Sequence, residues 1–211
     1  MASTKTVEFY FDFGSPTAYL AWTQLPRIAM EMRAGIAWRP MLLGGVFKAT
    51  GNQSPVLIEA KGRWMWDDMM RWARRYGVTL AHNPWFIINT LPIMRGAAGY
   101  QMREPDRFLK YVDLMFRAMW EKPVNLGDPL VIAQTLAAGD TDAARFYLQK
   151  WSLLAPEYND PQLLSAELEL QVGDTLAALR ILVQLAQQGD LRAALRICRL
   201  DYDRVTRAIL D

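Results

Sequence analysis

The apolar positions change from a two-residue to a 3.6-residue period at about residue 55, which predicts two strands followed by helices. The segments "VEFYFDF" (7–13) and "GIAWRPMLL" (35–43) are aromatic and β-branched, as strands are. Between them, "SPTAYLAWTQLPRIAMEM" (15–32) has helical spacing, with Pro26 predicted to kink or split it. A helix between two strands predicts a parallel pair with a right-handed crossover.

The middle of the chain is predicted to be helical after a glycine-rich loop at 43–55. The predicted helices cover residues 57–78, 83–102, 104–122 and 127–139, and the second of these segments opens on a turn that contains the Asn-Pro pair at 83–84. An apolar stripe at helical spacing runs along the first of them and comprises Trp64, Met65, Met69, Trp72 and Tyr76. We interpret this stripe as a buried helix face rather than a cofactor-binding motif. The third helix carries an aromatic face of Phe108, Tyr111, Met115 and Trp120.

A short motif recurs in the last third of the chain. Its copies are "GDTDAARFYL" (139–148), "GDTLAALRIL" (173–182) and "GDLRAALRIC" (189–198). The first two lie 34 residues apart, the period of tetratricopeptide repeats. The period predicts equivalent turns at Gly139 and Gly173, equivalent helix contacts at Ala144 and Ala178, and a helix end at Pro156. The alternative is an ordinary helical hairpin with a repeated turn.

Composition and charge narrow the class of protein. The 211 residues are 52% hydrophobic and 22% charged, with a net charge of +2 and no basic stripe, which disfavours a nucleic-acid partner. The chain shows no apolar run of membrane-spanning length and no secretory signal, so we expect a cytoplasmic protein without a membrane partner. Cys198 is the one cysteine and His82 the one histidine, so neither a disulfide nor a metal site is expected.

The corner between the first strand and its helix is the first candidate for chemistry. Ser15, followed by Pro16, is a favourable N-cap pair, and a cap role is sufficient to explain it. A hydroxyl at a helix N-terminus can also stabilise an anion, and the two roles are compatible. Asp12 before the corner is expected to accept turn hydrogen bonds, and His82 is expected in a loop rather than as a general base.

Three motifs together carry a family resemblance: an aromatic strand with D-x-x-S-P, a G-N-x-x-P loop and a K-G pair before the helices. Over residues 6–138 the chain resembles 2-hydroxychromene-2-carboxylate isomerases and kappa-class glutathione transferases of the DsbA-like thioredoxin superfamily. The resemblance implies glutathione as cofactor and cis–trans isomerisation of a small aromatic substrate by reversible thiolate addition. It implies Ser15 near the glutathione sulfur, Asn52 as a glutathione contact and Lys61 at the glycyl carboxylate.

The chain departs from this family after residue 138. It has no Gly-x-Pro-Thr turn and no alternating β-branched run there, and the family's γ-glutamyl contacts have no counterparts. We therefore expect an α/β fold with a thioredoxin-like β-α-β start (6–56), a helical insert (57–138) and a helical, repeat-like tail (139–211), without the usual C-terminal strands.

Two functions follow from these features. The first is a glutathione-dependent isomerase or transferase. The second is a non-catalytic helical interaction protein or chimera that keeps a relic glutathione site. In either case the tail is a candidate surface for a protein partner, and a homodimer is possible.

Overall fold

A β-α-β arrangement opens the chain, as the sequence predicts. Strands β1 (Thr6–Phe11) and β2 (Gly35–Pro40) are parallel and pair over all six residues of each. Helix α1 (Pro16–Glu31) connects them and runs through Pro26 without a break, so the predicted split is wrong. The helix tolerates Pro26 because its buried residues before and after this position anchor both halves in the core.

The structure is a computed structural model that describes residues 5–139, 141–154 and 159–210. The chain forms two units, Met1–Asp128 and Pro129–Asp211. Across the described ranges, β1 and β2 are the only strands, which confirms the predicted absence of strands after residue 138 there. Strand β2 also accepts a hydrogen bond from a side chain outside the sheet, since the Gln101 side chain donates to the Trp38 carbonyl oxygen at 2.7 Å.

The rest of the first unit is helical, as predicted, with different bounds. Its helices are α2 (Leu43–Thr50), α3 (Glu59–Tyr76), α4 (Leu91–Arg103) and α5 (Pro105–Trp120), with a short 3-10 helix at Pro55–Leu57.

Helix α2 replaces part of the loop predicted at 43–55. Leu43, Val46 and Phe47 have helical spacing, the Leu43 N–H donates to the Asp12 carboxylate, and left-handed Gly51 ends the helix. Conversely, the start of the helix predicted over 83–102 is irregular up to Thr90. Side-chain hydrogen bonds of Asn83 and Asn89 to nearby backbone N–H groups favour a turn there.

The apolar stripe of α3, predicted from its spacing to be a buried face, is buried only in part. Trp64 and Trp72 are 64% and 42% exposed, and the buried residues of the helix are Met69 and Ala73. Trp72 instead packs beside the Tyr76 ring, and the Arg75 guanidinium lies 5.5 Å from the Trp72 ring centroid. Spacing identified the apolar side of α3 but not how much of it the rest of the unit covers.

An aromatic cluster between the sheet, α1 and α5 forms the core of the first unit. Its members are Phe11, Phe13, Tyr19, Trp22 and Phe116. The ring of Phe116 lies at the centre, with centroids 5.0 to 6.0 Å from those of the other members. The predicted face of α5 is confirmed, since Phe108, Tyr111, Met115 and Trp120 are all buried.

Alanine substitutions at two glycines of α4 are expected to change the free energy of unfolding in opposite directions. A Cβ at Gly96 would overlap the Tyr111 side chain and lie 2.7 Å from its Cζ, whereas a Cβ at Gly99 meets nothing within 4 Å. We expect Gly96→Ala to lower the free energy of unfolding by about 1–3 kcal/mol because Tyr111 is buried and donates to the Ile93 carbonyl oxygen. Gly99→Ala should raise it by about 0.5–1 kcal/mol. Urea unfolding of both variants tests this, and stabilisation by both would contradict it.

The second unit is helical throughout its described backbone, as predicted. Its helices are α6 (Pro129–Gly139), α7 (Thr141–Leu154), α8 (Asp160–Gln171), α9 (Thr175–Gln187) and α10 (Leu191–Leu210). Small and branched apolar side chains of α8, α9 and α10 form a core of Ala166, Ala178, Leu182, Leu185 and Ala193.

The recurring Gly-Asp pair has a local physical explanation. Gly173 and Gly189 are left-handed, with φ of +86° and +91°, and each follows the end of a helix. Asp174 then caps α9 by accepting from the Ala177 N–H, and Asp190 caps α10 by accepting from the Ala193 N–H.

The repeat prediction itself is tested only in part. Ala144 and Ala178 are both fully buried, as equivalent helix contacts would be. Gly139 ends α6 beside residue 140, and Pro156 and residue 140 lie outside the described residues. The relation to tetratricopeptide repeats stays a prediction.

Candidate functional site

The corner after β1 is fixed by the buried carboxylate of Asp12. Its Oδ1 accepts from the Gly14 N–H and its Oδ2 from the Leu43 N–H, both at 2.8 Å. The first bond is the turn interaction predicted for Asp12, and the second ties the corner to the start of α2. Two chain segments that lie 31 residues apart therefore meet at one side chain.

Ser15 caps α1, as predicted. Its Oγ accepts from the Ala18 N–H at 3.1 Å and lies 2.9 Å from Oγ1 of Thr17. Pro16 has no N–H, and helix geometry leaves the Thr17 N–H without an intrahelical acceptor. The Ser15 hydroxyl and the positive end of α1 therefore lie together at the corner, and both can stabilise an anion.

Buried groups of the first unit hold the corner in place. The Trp120 indole N–H donates to the Phe13 carbonyl oxygen at 2.8 Å, and both residues are buried. One turn further along α1, the Tyr19 hydroxyl lies 2.8 Å from the Thr79 carbonyl oxygen and 2.9 Å from the Glu121 carboxylate, and it donates its single hydrogen to one of them. Burial and the neighbouring Glu121 raise the pKa of Tyr19, so it acts as a neutral donor.

Ser15 opens onto a cavity of about 590 Å³ within the first unit. Its apolar wall comes from α2, α3, α5 and the segment before α4 and includes Phe47, Met65, Trp66, Met69, Phe86 and Trp120. Four charged or titratable side chains also line it: Glu59, Arg63, Asp67 and His82. An aromatic pocket with a few polar groups suits a small organic molecule.

The structure brings only one of the three predicted site residues into the cavity lining. Asn52 and Lys61 are exposed, and the lining includes their near neighbours Ser54 and Gly62 instead. The Asn52 side-chain oxygen accepts from the Gln53 N–H at 2.8 Å, which is a local turn interaction. The binding roles predicted for Asn52 and Lys61 therefore stay predictions.

Spacing along the sequence does not identify His82 and Asn83 as residues of the cavity lining. His82 lies outside the helices, as expected, and its ring packs edge-on against Trp66 with centroids 5.3 Å apart. Asn83 is fully buried, donates to the Met119 carbonyl oxygen and accepts from the Trp85 N–H. The Asn-Pro pair at 83–84 indicated a turn, but nothing in the sequence indicated that this turn would line a cavity.

In the part of the chain that the structure describes, His, Cys, Asp and Glu side chains nowhere gather in threes as metal ligands would. Nor does any helix there combine the length and apolar character needed to cross a bilayer.

Comparison with known proteins identifies related sequences. The DSBA-like thioredoxin domain model matches residues 6–150. A 2-hydroxychromene-2-carboxylate isomerase of Sphingobium xenophagum is 33% identical over 119 residues, which cover 56% of this chain and 59% of that protein. Glutathione S-transferase kappa 1 of Caenorhabditis elegans is 24% identical over 144 residues, 65% of this chain and 64% of that protein. The chain thus spans about three fifths of the length of these relatives.

A solved structure has the same fold. The structure of a 2-hydroxychromene-2-carboxylate isomerase superposes with a TM-score of 0.56 at 24% identity, over 94% of this chain and 98% of that one. The predicted thioredoxin-like fold with a helical C-terminal region is therefore confirmed.

Proposed function

Because the chain belongs to the family of DSBA-like thioredoxin domains, we propose that its cavity binds glutathione and directs the thiol toward a small aromatic compound, in an isomerisation or transfer reaction. The observation that carries this proposal is that Ser15, the N-cap of α1, belongs to the lining of an aromatic cavity of about 590 Å³. The names of the relatives, an isomerase and a glutathione transferase, support the reaction class and the ligand.

The residues at the corner fit a negatively charged thiol peptide. Ser15 accepts from one backbone N–H and carries one hydrogen that it can donate, and the N-terminal end of α1 favours negative charge. Arg63 in the cavity lining adds positive charge, and Lys61, two positions earlier on α3, projects from a different side of the helix. In this proposal Lys61 and Asn52 hold the glycyl end, and the exposed Lys61 ammonium is available to a carboxylate from solvent.

The protein's contribution is to stabilise the reactive form of the ligand and to position its partner. Glutathione, when bound, supplies a thiol that adds reversibly to an electron-poor double bond. A free thiol has a pKa of about 8.5 and is mostly protonated at neutral pH. Ser15 donates a hydrogen bond to the sulfur position, and the α1 N-terminus favours its charge, so both lower that pKa. Trp66, Phe86 and Phe47 supply the faces that orient an aromatic ring.

Isothermal titration calorimetry with glutathione tests the proposal. We expect a Kd in the millimolar range, because losing two charge-assisted hydrogen bonds at the γ-glutamyl end costs roughly 10²–10⁴ in affinity. Lys61→Met should weaken binding a further ~10-fold or more, since one charged hydrogen bond contributes about 1.5–3 kcal/mol. Lys5→Met makes the same charge change at the far end of β1 and should bind like the native chain.

Two results would contradict this assignment separately. The absence of any binding heat with the native chain would contradict the glutathione site as a whole. Equal affinities of the Lys61→Met and Lys5→Met variants would contradict the role of Lys61 alone. Asn52→Ala, measured in the same way, tests the third predicted contact.

A second candidate function is that of a helical interaction protein that keeps a relic of this site. It is favoured by the two-stranded sheet, since the described residues hold no further strands, and by the absence of counterparts for the γ-glutamyl contacts. In this case a partner or a second copy would bind the helical tail. Glutathione binding without turnover on any aromatic substrate would favour this alternative.

A further inference from the structure

Thr17 lines the cavity together with Ser15. Their hydroxyl oxygens lie 2.9 Å apart, with either able to be the donor. Thr17 is exposed, so its contacts with the core do not explain this pairing. The pair is therefore a polar feature of the site itself.

The direction of this hydrogen bond decides what Ser15 can do. A hydroxyl donates one hydrogen and accepts up to two hydrogen bonds. Ser15 Oγ already accepts from the Ala18 N–H at 3.1 Å. If Ser15 donates to Thr17, its hydrogen is used within the helix turn. If Thr17 donates to Ser15, the serine accepts two bonds and its hydrogen is free to face the cavity.

We propose that Thr17 is a positioning residue that donates to Ser15 and so directs the Ser15 hydrogen toward a thiol sulfur in the cavity. This inference rests on the proposed function. The resulting chain runs from the Thr17 hydroxyl through Ser15 to the sulfur, and each bond polarises the next. The β-branched Thr17 side chain has few rotamers, which helps to keep its hydroxyl in place. Thr17 does not touch the sulfur in this arrangement.

The test measures the ionisation of glutathione bound to the full chain. The ultraviolet absorbance of the thiolate is followed against pH, with glutathione at several times its Kd, for the native chain and three variants. Thr17→Val removes the hydroxyl at nearly constant shape, and Thr17→Ser keeps it. Thr23→Val is the matched control, because its hydroxyl lies on the same helix, donates to the Leu20 carbonyl oxygen and is not part of the cavity lining.

We expect Thr17→Val to lower the thiolate fraction at neutral pH about three- to tenfold, the effect of one hydrogen bond on the ionised form. Thr17→Ser and Thr23→Val should both match the native chain. The affinity for the protonated thiol, measured at low pH, should stay within about twofold in all variants, because Thr17 acts on the charged form only.

The comparison of variants separates the effect of the Thr17 hydroxyl from the effects of the charged groups in the cavity lining. The groups lining the cavity that carry or gain charge, Glu59, Arg63, Asp67 and His82, are present in every variant. If the thiol of glutathione has the same pKa when bound to the Thr17→Val variant as when bound to the native chain, this inference is overturned. The proposal of a glutathione site is then unaffected. An equal shift in Thr23→Val would also overturn it. A native chain that binds no glutathione would overturn both proposals.

Discussion

Ser15→Ala is expected to lower glutathione-dependent turnover of an aromatic substrate by about 10²–10³, the usual effect of removing one donor at a developing charge. The loss should fall on kcat, because the Ser15 hydroxyl contributes most when the sulfur carries charge. The fold should persist, since removing an N-cap costs about 1 kcal/mol. Stopped-flow or steady-state assays with electron-poor aromatic olefins give the measurement.

A matched control separates chemistry from helix capping. Asp174 caps α9 in the second unit in the same way as Ser15 caps α1, by accepting from the third following N–H. Asp174→Ala should therefore cost a similar free energy of unfolding and leave turnover unchanged. If both variants lose turnover equally, or if Ser15→Ala keeps the native rate, Ser15 is a cap and nothing more.

Phe116→Ala is expected to lower the free energy of unfolding by about 3–5 kcal/mol, the range found for deleting a buried aromatic ring. Phe116 is fully buried, and its ring contacts residues of β1, α1 and the corner itself. Because small proteins have a total stability of about 5–15 kcal/mol, such a loss is a large share of it. The site should be disordered together with the core, since the Phe116 ring packs against Phe13, which precedes Ser15 by two residues.

Urea unfolding followed by tryptophan fluorescence measures this effect, because Trp22 also contacts the Phe116 ring. Leu109→Ala on the same helix is the control, since Leu109 is 45% exposed and should cost less than about 1 kcal/mol. A Phe116→Ala variant as stable as Leu109→Ala would show that the aromatic cluster is not the main core of the first unit.

Features set by neighbouring residues could be predicted from the sequence. The β-α-β start, the Ser15 cap, the Asp12 turn and the buried face of α5 depend on spacing, capping chemistry and chain connectivity, and the structure contains all of them. The helical tail and its Gly-Asp turns are of the same kind, because a left-handed glycine and a capping aspartate act within one turn.

Helix α2 shows where local signals fail. Gly44 and Gly45 indicated a loop, because glycine disfavours helices. The helix forms because its first N–H is held by Asp12, a residue 31 positions earlier that no local window includes. The predicted burial of Trp64 and Trp72 on α3 is wrong for a similar reason, since spacing identifies the apolar side of a helix but not which residues cover it.

The sequence alone determined the parallel strand pair, the helical character of most of the chain after residue 57 and the candidate Ser15, because these depend on interactions over a few residues or on connectivity. Only the tertiary structure decided that Ser15 opens onto a cavity walled by Trp66 and Phe86, that Thr17 pairs with it, and that Asn52 and Lys61 lie outside its lining. A cavity is the space left between packed elements. Its walls come from residues up to 106 positions apart in the chain, such as Gly14 and Trp120, whose proximity is set by packing and by no pattern along the sequence.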